Sequence, residues 1–180
     1  MAYSSRTIVG MSHPDRLLAF LRIVVGLYFA KAVYTKLGIV MVGGFLPLPG
    51  ASQRWIHTMP TIVTKQASEN PILFYKQFLE NTVLTHPELF AHLTALGEAI
   101  TGIGLTLGLL TGMASLVGLV LVTNYGLATQ WMSPGQQGFH LVLVALMIVF
   151  FFARSGRTWG LDARLSSARP KSIFARRPFS

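Results

Sequence analysis

The sequence predicts an all-α fold: an integral membrane four-helix bundle with a long outward-facing insert between helices 1 and 2 that contains a short amphipathic helix. Three observations carry this. The 180-residue chain is 52% hydrophobic and 12% charged, against about 25% charged in an ordinary soluble domain. The 65 residues between Glu88 and Arg154 hold one formal charge, Glu98. The apolar sequence divides into four runs, each near the roughly 20 residues a helix needs to cross about 30 Å of hydrocarbon.

The expected spans are 17–37, 90–110, 113–131 and 134–153, within a single membrane domain 1–180. Ser12-His13-Pro14-Asp15 reads as an N-cap with an acid three residues on. Thr85-His86-Pro87-Glu88 reads as a capping box before the second span. Ser133-Pro134 places a cap and then proline at the first helical position of the fourth. The connections at Thr111-Gly112 and around Ser133 are so short that consecutive spans must be antiparallel neighbours. Gly104, Gly108 and Gly112 recur every four residues, with Gly97 and Gly102 nearby, and offer small surfaces for close helix approach.

The insert, 38–89, opens irregularly with Gly43-Gly44 and Pro47-Leu48-Pro49-Gly50. Asn70-Pro71 then caps a short amphipathic helix, Ile72 to Val83, expected to lie at the interface and lid the bundle. Arg54, Lys65 and Lys76 balance Glu69, Glu80 and Glu88 there.

The net charge is +9, and seven of the fifteen Lys/Arg fall after residue 153: Arg154, Arg157, Arg164, Arg169, Lys171, Arg176 and Arg177. With Arg6 and Arg16 at the other end, the positive-inside rule puts both termini in the cytoplasm and makes 154–180 a basic cytoplasmic tail. The expected location is a bacterial or archaeal plasma (inner) membrane, crossed several times. The tail after Arg164 is Ser/Pro/Arg-rich and would not hold a fold alone. Without a basic face interleaved with aromatics, nucleic acid is not an expected partner. The first apolar run is too long for a signal-peptide core and lacks a small-x-small site, so no cleavable signal is expected. With no cysteine, disulfides, thiolate chemistry and Cys-based metal sites drop out.

An acid at membrane depth is costly, so it is paired, faces the bundle interior, or is in use. Counting 1.5 Å per residue puts Glu98 and Asn124 roughly 12 Å from the outer boundary, and His140 and Lys31 roughly 9 Å. Four polar groups from four helices thus share one layer. Tyr34, Lys36, His92, Gln130 and Trp131 lie above it. Arg22 falls in the inner half and is expected to snorkel to the surface.

One reading of the layer is a buried Lys31–Glu98 ion pair, its hydrogen bonds completed by Asn124 and His140. Another is a ligand pocket. A quinone head group needs donors for two carbonyl oxygens and a proton carrier on reduction, which Lys31, Glu98, Asn124, His140 and His92 could supply. A small-solute path is a third, but the inner half offers little beyond Arg22 to line one. The histidines show no i, i+4 metal spacing, so no metal is expected. Trp131 and Trp159 read as interfacial aromatics.

Past the fourth span the chain reads Gly156-Arg157-Thr158-Trp159-Gly160-Leu161-Asp162-Ala163. This resembles the C-terminal signature of the DoxX/DoxD family of small four-helix membrane proteins. Leu21-Arg22-Ile23-Val24-Val25-Gly26 resembles its opening Leu-Arg-x-x-x-Gly, and Lys36-Leu37 the lysine that ends its first helix. Gly97-Glu98 and the Gly104 to Thr111 run resemble its second helix. The long insert departs from the family's minimal pattern.

The family includes the small subunit of thiosulfate:quinone oxidoreductase. The resemblance therefore implies a membrane subunit of a quinone-linked oxidoreductase complex, with quinone as the only implied cofactor and lipid and further complex subunits as partners. No redox cofactor site of its own is evident in the sequence, so if electrons pass here a partner is expected to carry the metal or flavin. The alternative is a non-catalytic interaction subunit that packs into a larger membrane complex.

Overall fold

The computed structural model describes residues 14–168, 171–175 and 178–179. Arg6, the Ser12 and His13 of the first expected cap, and Arg169, Arg176 and Arg177 of the tail lie outside the described residues. In chain order the elements are α1 (Pro14–Thr35), β1 (Leu37–Val42), β2 (Leu46–Ala51), α2 (Gln53–Ser68), α3 (Leu73–Phe78, continued by a π turn over Leu79–Val83), α4 (Pro87–Leu107), α5 (Thr111–Thr129), α6 (Pro134–Ala153) and α7 (Leu161–Ala168).

Helices α1, α4, α5 and α6 are 19 to 22 residues long and apolar enough to cross a membrane. They pack in the order α1, α4, α5, α6. Lipid tails are as apolar as leucine, so burial alone cannot drive this association and close van der Waals contact must. Two glycines permit it between α1 and α4. A Cβ on Gly102 would stand 2.3 Å from the Ala30 nitrogen, and one on Gly26 2.4 Å from that of Thr106. The stripe expected from Gly104, Gly108 and Gly112 is not one packing face. Gly104 meets Ala114 across the α4–α5 turn, Gly108 ends α4 with φ +61°, and Gly112 lies against the Pro178 carbonyl.

The α4–α5 connection comes three residues earlier than expected because Gly108 takes the left-handed conformation that terminates α4. The start of α5 is fixed from far along the chain. Asp162 accepts hydrogen bonds from the Leu110 nitrogen at Oδ1 (2.8 Å) and from the Thr111 nitrogen at Oδ2 (3.0 Å). Its own amide donates to the Gly108 carbonyl at 2.8 Å. Arg22 is fully buried beside this turn. It does not snorkel as expected. It donates to the Leu105 carbonyl and to the carbonyls of Thr158 (3.3 Å) and Trp159 (3.2 Å). A Cβ on Gly156 would fall 2.3 Å from Asp162 Oδ2, and one on Gly160 2.2 Å from the Gly156 carbonyl. The 156–162 motif is therefore a clasp that satisfies orphan groups at the α4–α5 turn. Beyond Arg164 the chain continues as helix to Ala168, and the Phe179 carbonyl accepts from the Gly112 amide at 3.0 Å.

The insert is more regular than its prolines suggest. Residues 37–51 form an antiparallel hairpin, pairing Leu37 with Ala51 through Val42 with Leu46. The three-residue turn is possible because Gly43 and Gly44 both adopt positive φ. Pro47 and Pro49 are tolerated because each strand of a two-stranded hairpin has a free edge. Ser52 then caps α2 by accepting from the Trp55 nitrogen at 3.3 Å. That helix carries Pro60 inside it, which hid it from the sequence pattern, and buries Met59, Val63 and Ala67 on one stripe. Helix α3 and its π turn follow the expected amphipathic segment and bury Tyr75, Leu79 and Val83. These residues form one apolar cluster with Ala91 and Ala95 of α4 and Ala128 of α5.

Two of the expected caps differ in outcome. Ser133 Oγ accepts from the Gln136 nitrogen at 3.2 Å at the head of α6. Thr85 does not cap α4. Its hydroxyl donates back to the Asn81 and Thr82 carbonyls, and His86 occupies the cap position.

Gly102→Ala is expected to lower the melting temperature sharply, since overpacking against backbone costs about 1–3 kcal/mol or more. Gly138→Ala is the control, because nothing lies within 4 Å of a Cβ there. Equal thermal shifts for the two purified variants would remove close α1–α4 approach as the organising contact.

Candidate functional site

The buried acid pairs with the lysine at the end of α1. Lys36 Nζ lies 2.8 Å from Glu98 Oε2 and donates to Oε1 at 2.8 Å. Lys31, the expected partner, is exposed on the outside of α1. The reason is rotational: five residues at 100° each turn Lys31 about 140° away from Lys36. Depth counting found the layer but not the face.

The position of Lys36 is set by the insert. Its amide donates to the Ala32 carbonyl as the last turn of α1, and its carbonyl accepts from the Ser52 amide at 2.7 Å, at the base of the hairpin. The chain thus leaves and re-enters beside this residue. The ammonium sits over the Trp55 indole, 4.2 Å from the ring centroid, a favourable cation–π placement. Trp55 is held in turn by Thr94, whose Oγ1 accepts from its Nε1 at 3.1 Å.

A third group completes the cluster. Tyr125 donates its hydroxyl to Glu98 Oε1 at 2.7 Å. Glu98 is 8% exposed, so a carboxylate with little access to water is satisfied by an ammonium and a phenol. Tyr125, not the expected Asn124, is the α5 residue that meets Glu98. The available signal was a tyrosine at membrane depth one residue along.

Asn124 has another task. Tyr75 donates to its backbone carbonyl at 2.9 Å and to its Oδ1 at 3.3 Å, and its amide donates to the Val120 carbonyl. It therefore ties α3 to α5. Burial pushes the Tyr75 hydroxyl up to about 12, which keeps it a donor at any ordinary pH. His92 is also structural: its Nδ1 accepts from the Ala51 amide at 2.9 Å and holds β2 against α4. His140 is buried at 8% exposure. Its Nδ1 meets the Gln136 carbonyl at 2.8 Å. Because a carbonyl can only accept, Nδ1 is the donor in this bond. Tyr34 is exposed, and the indole of Trp131, in the turn after α5, donates to the Ala128 carbonyl of that helix.

Between the insert and helices α4, α5 and α6 lies a cleft of about 720 Å³. Its lining includes Lys36, Glu98, Tyr125, Asn124 and His140, and apolar walls from Met59, Phe78 and Leu121. Neither Lys31 nor His92 lines it. The structure therefore brings together three of the five expected ligand candidates and adds Lys36, Trp55 and Tyr125. Among the described residues no group of three His, Cys, Asp or Glu side chains could hold a metal ion.

Four spanning helices, a buried acid–lysine–tyrosine cluster beside a largely apolar cleft, and a C-terminal clasp on a buried arginine define a small integral membrane protein. The sequence model described as the TQO small subunit DoxD matches residues 17–172, and the chain belongs to that family. The family is that of a membrane subunit of thiosulfate:quinone oxidoreductase. Comparison with curated proteins and with solved structures finds no match.

Lys36→Met is expected to destabilise the protein by about 3–5 kcal/mol, because it strands the Glu98 charge. Tyr125→Phe should cost about 1–3 kcal/mol through one lost donor. Lys31→Met should be nearly neutral. Thermal unfolding in detergent orders the three, and a Lys31 variant as damaging as the Lys36 variant would restore the other pairing. The Tyr75 latch adds a pH signature. Its folded value lies above the ordinary 10, so its stabilising effect is full below about pH 10 and is lost as pH rises toward 12. Amide exchange in α3 should accelerate over that window, and Tyr75→Phe should remove the pH dependence.

Proposed function

We propose that the protein is the membrane subunit of a quinone-linked oxidoreductase complex, and that the cleft receives the quinone head group beside Lys36, Glu98 and Tyr125. The observation that carries this reading is the pairing of an apolar cleft of about 720 Å³ with a donor-rich cluster in its lining, in a family named for a quinone oxidoreductase. Ligand sites of this kind are concave, mostly apolar and fixed by a few convergent polar groups. A bound quinone supplies two-electron acceptor chemistry that also consumes two protons. The residues present suit it: Lys36 and Tyr125 are hydrogen-bond donors for a carbonyl oxygen, and Glu98 can hold a proton between them. His140, with Nε2 unused by its own helix, offers a second proton-carrying group in the same cleft. The apolar walls exclude water and strengthen each of these interactions. Electrons arrive from a partner subunit.

The sidedness follows from the charge bias. Arg154, Arg157, Arg164 and Lys171 lie at the tail end of the helices, and the insert at the opposite end has balanced charge. This supports cytoplasmic termini, with the hairpin, α2, α3 and the cleft facing outward.

A second reading rests on one observation: Glu98 already has two protein partners. It could specify the bundle and leave the protein an interaction subunit. The complex purified with native lipid separates the two. Quinone should co-purify, and Glu98→Gln should lower quinone reduction per assembled complex about 10²-fold or more with the amount of complex little changed. Absence of quinone, together with unchanged turnover in a complex that assembles poorly, would instead establish the structural role.

A further inference from the structure

The cleft is longer than its polar cluster. Along α5 its lining runs from Thr129 to Val117, about 18 Å of helix at 1.5 Å per residue. The chemistry changes over that length. Toward the insert stand Lys36, Trp55, Thr94, Tyr125 and Gln136. Beyond Asn124 the α5 wall is Leu121, Val120 and Val117 alone. The facing stretch of α4 is Gly97, which contributes no side chain, and a Cβ there would stand 3.1 Å from Leu121 Cδ1. The cleft thus continues past the Glu98 level as an apolar groove along the α4–α5 seam.

This groove opens sideways. Leu93 of α4 and Val120 of α5 both line the cleft, and both are exposed, at 53% and 63%. Each belongs to a helix apolar enough to span a membrane. They lie about 9 Å and about 14 Å from the insert-side ends of those helices, so the surface they expose meets lipid and not water. A cleft with hydrogen-bonding groups at one end and an apolar, lipid-side opening at the other suits an amphipathic ligand that arrives through the membrane. A head group of one or two rings occupies the polar end and leaves the groove unfilled. A head group with an attached hydrocarbon chain fills both.

We propose that the ligand is a quinone bearing an isoprenoid chain, and that the first units of the chain lie in the α4–α5 groove against Leu93, Val117, Val120 and Leu121 and pass to the bilayer at Leu93 and Val120. The inference rests on the quinone reading of the cleft and adds to it a chain site with its own residues. Lipid is as apolar as the groove, so the chain gains little from burial itself. The gain is close packing against a preformed wall, which also guides the head group toward Lys36 and Glu98. Leu93 and Val120 are then specificity-determining residues that touch the chain and leave the head group alone.

The test uses the full chain in lipid nanodiscs and measures equilibrium binding of quinones with and without their chain: a menaquinone against menadione, and a ubiquinone against its chain-free benzoquinone. Variants are compared at fixed lipid, so partitioning of the chain into the bilayer cancels. Val120→Trp, at an exposed position, should weaken binding of the chain-bearing quinone about tenfold and leave its chain-free partner nearly unchanged. Leu93→Trp, from the opposite wall, should do the same. Val142→Trp, on an exposed face of α6 outside the cleft, should change neither, and thermal melting checks that each variant is folded. Folded Val120→Trp and Leu93→Trp proteins that bind the chain-bearing quinone as wild type does, or that lose both ligands alike, would overturn the chain site and leave the quinone reading standing. Wild type that binds none of the four would overturn the quinone reading and the chain site with it.

Discussion

A charge held inside a membrane must be satisfied by the chain that carries it, and Glu98 imposes this requirement on most of the insert-side half of the protein. Its partners come from three places: the end of α1 through Lys36, the start of α2 through the Trp55 ring beneath the ammonium, and α5 through Tyr125. Lys36 can be there only because α1 stops at Thr35 and the chain turns into a hairpin whose base closes on the Lys36 carbonyl. The insert is thus part of the arrangement that makes a buried carboxylate tolerable. The same arrangement leaves the cleft with polar groups in its lining and apolar walls around them.

The opposite end obeys the same rule with the sign reversed. Arg22 is an always-charged group with no carboxylate within hydrogen-bond reach among the described residues. It is neutralised by dipoles: carbonyls at the end of α4 and in the 156–162 motif. A helix C-terminus carries partial negative charge, which suits a guanidinium. Asp162 does the converse at the start of α5, where amide groups point outward. One short motif therefore serves both ends of a tight helix–helix turn. Its glycines are dictated by close approach to Asp162 and to its own backbone.

The two ends are mechanically different. At the tail side the helices are joined by backbone-directed bonds that leave little freedom. At the insert side, α2 and α3 rest on α4 and α5 largely through an apolar cluster, with the Tyr75 and Asn70 hydrogen bonds to α5 as fixed points. A surface held mainly by apolar contact can part without breaking many polar groups.

The sequence by itself determined the four spans, the helix starts at Ser133-Pro134, the amphipathic segment 72–83 and the importance of Glu98. Each rests on a local quantity: hydropathy over about 20 residues, a capping pattern, or a lone charge. It also pointed to Arg22, Gly26 and the 156–162 motif through family resemblance, without saying what they do together. Only the tertiary structure decided the rest. Whether Lys31 or Lys36 meets Glu98 depends on helix rotation and on where α1 ends. Whether Asn124 or Tyr125 completes the pair depends on which face of α5 turns inward. The hairpin and α2 were hidden because Pro47, Pro49 and Pro60 argue against regular structure locally, and only the free hairpin edges and the helix stripe packed on α4 make them acceptable. Spacing along one chain fixes depth; direction around each helix is set by its neighbours, and the site is made of directions.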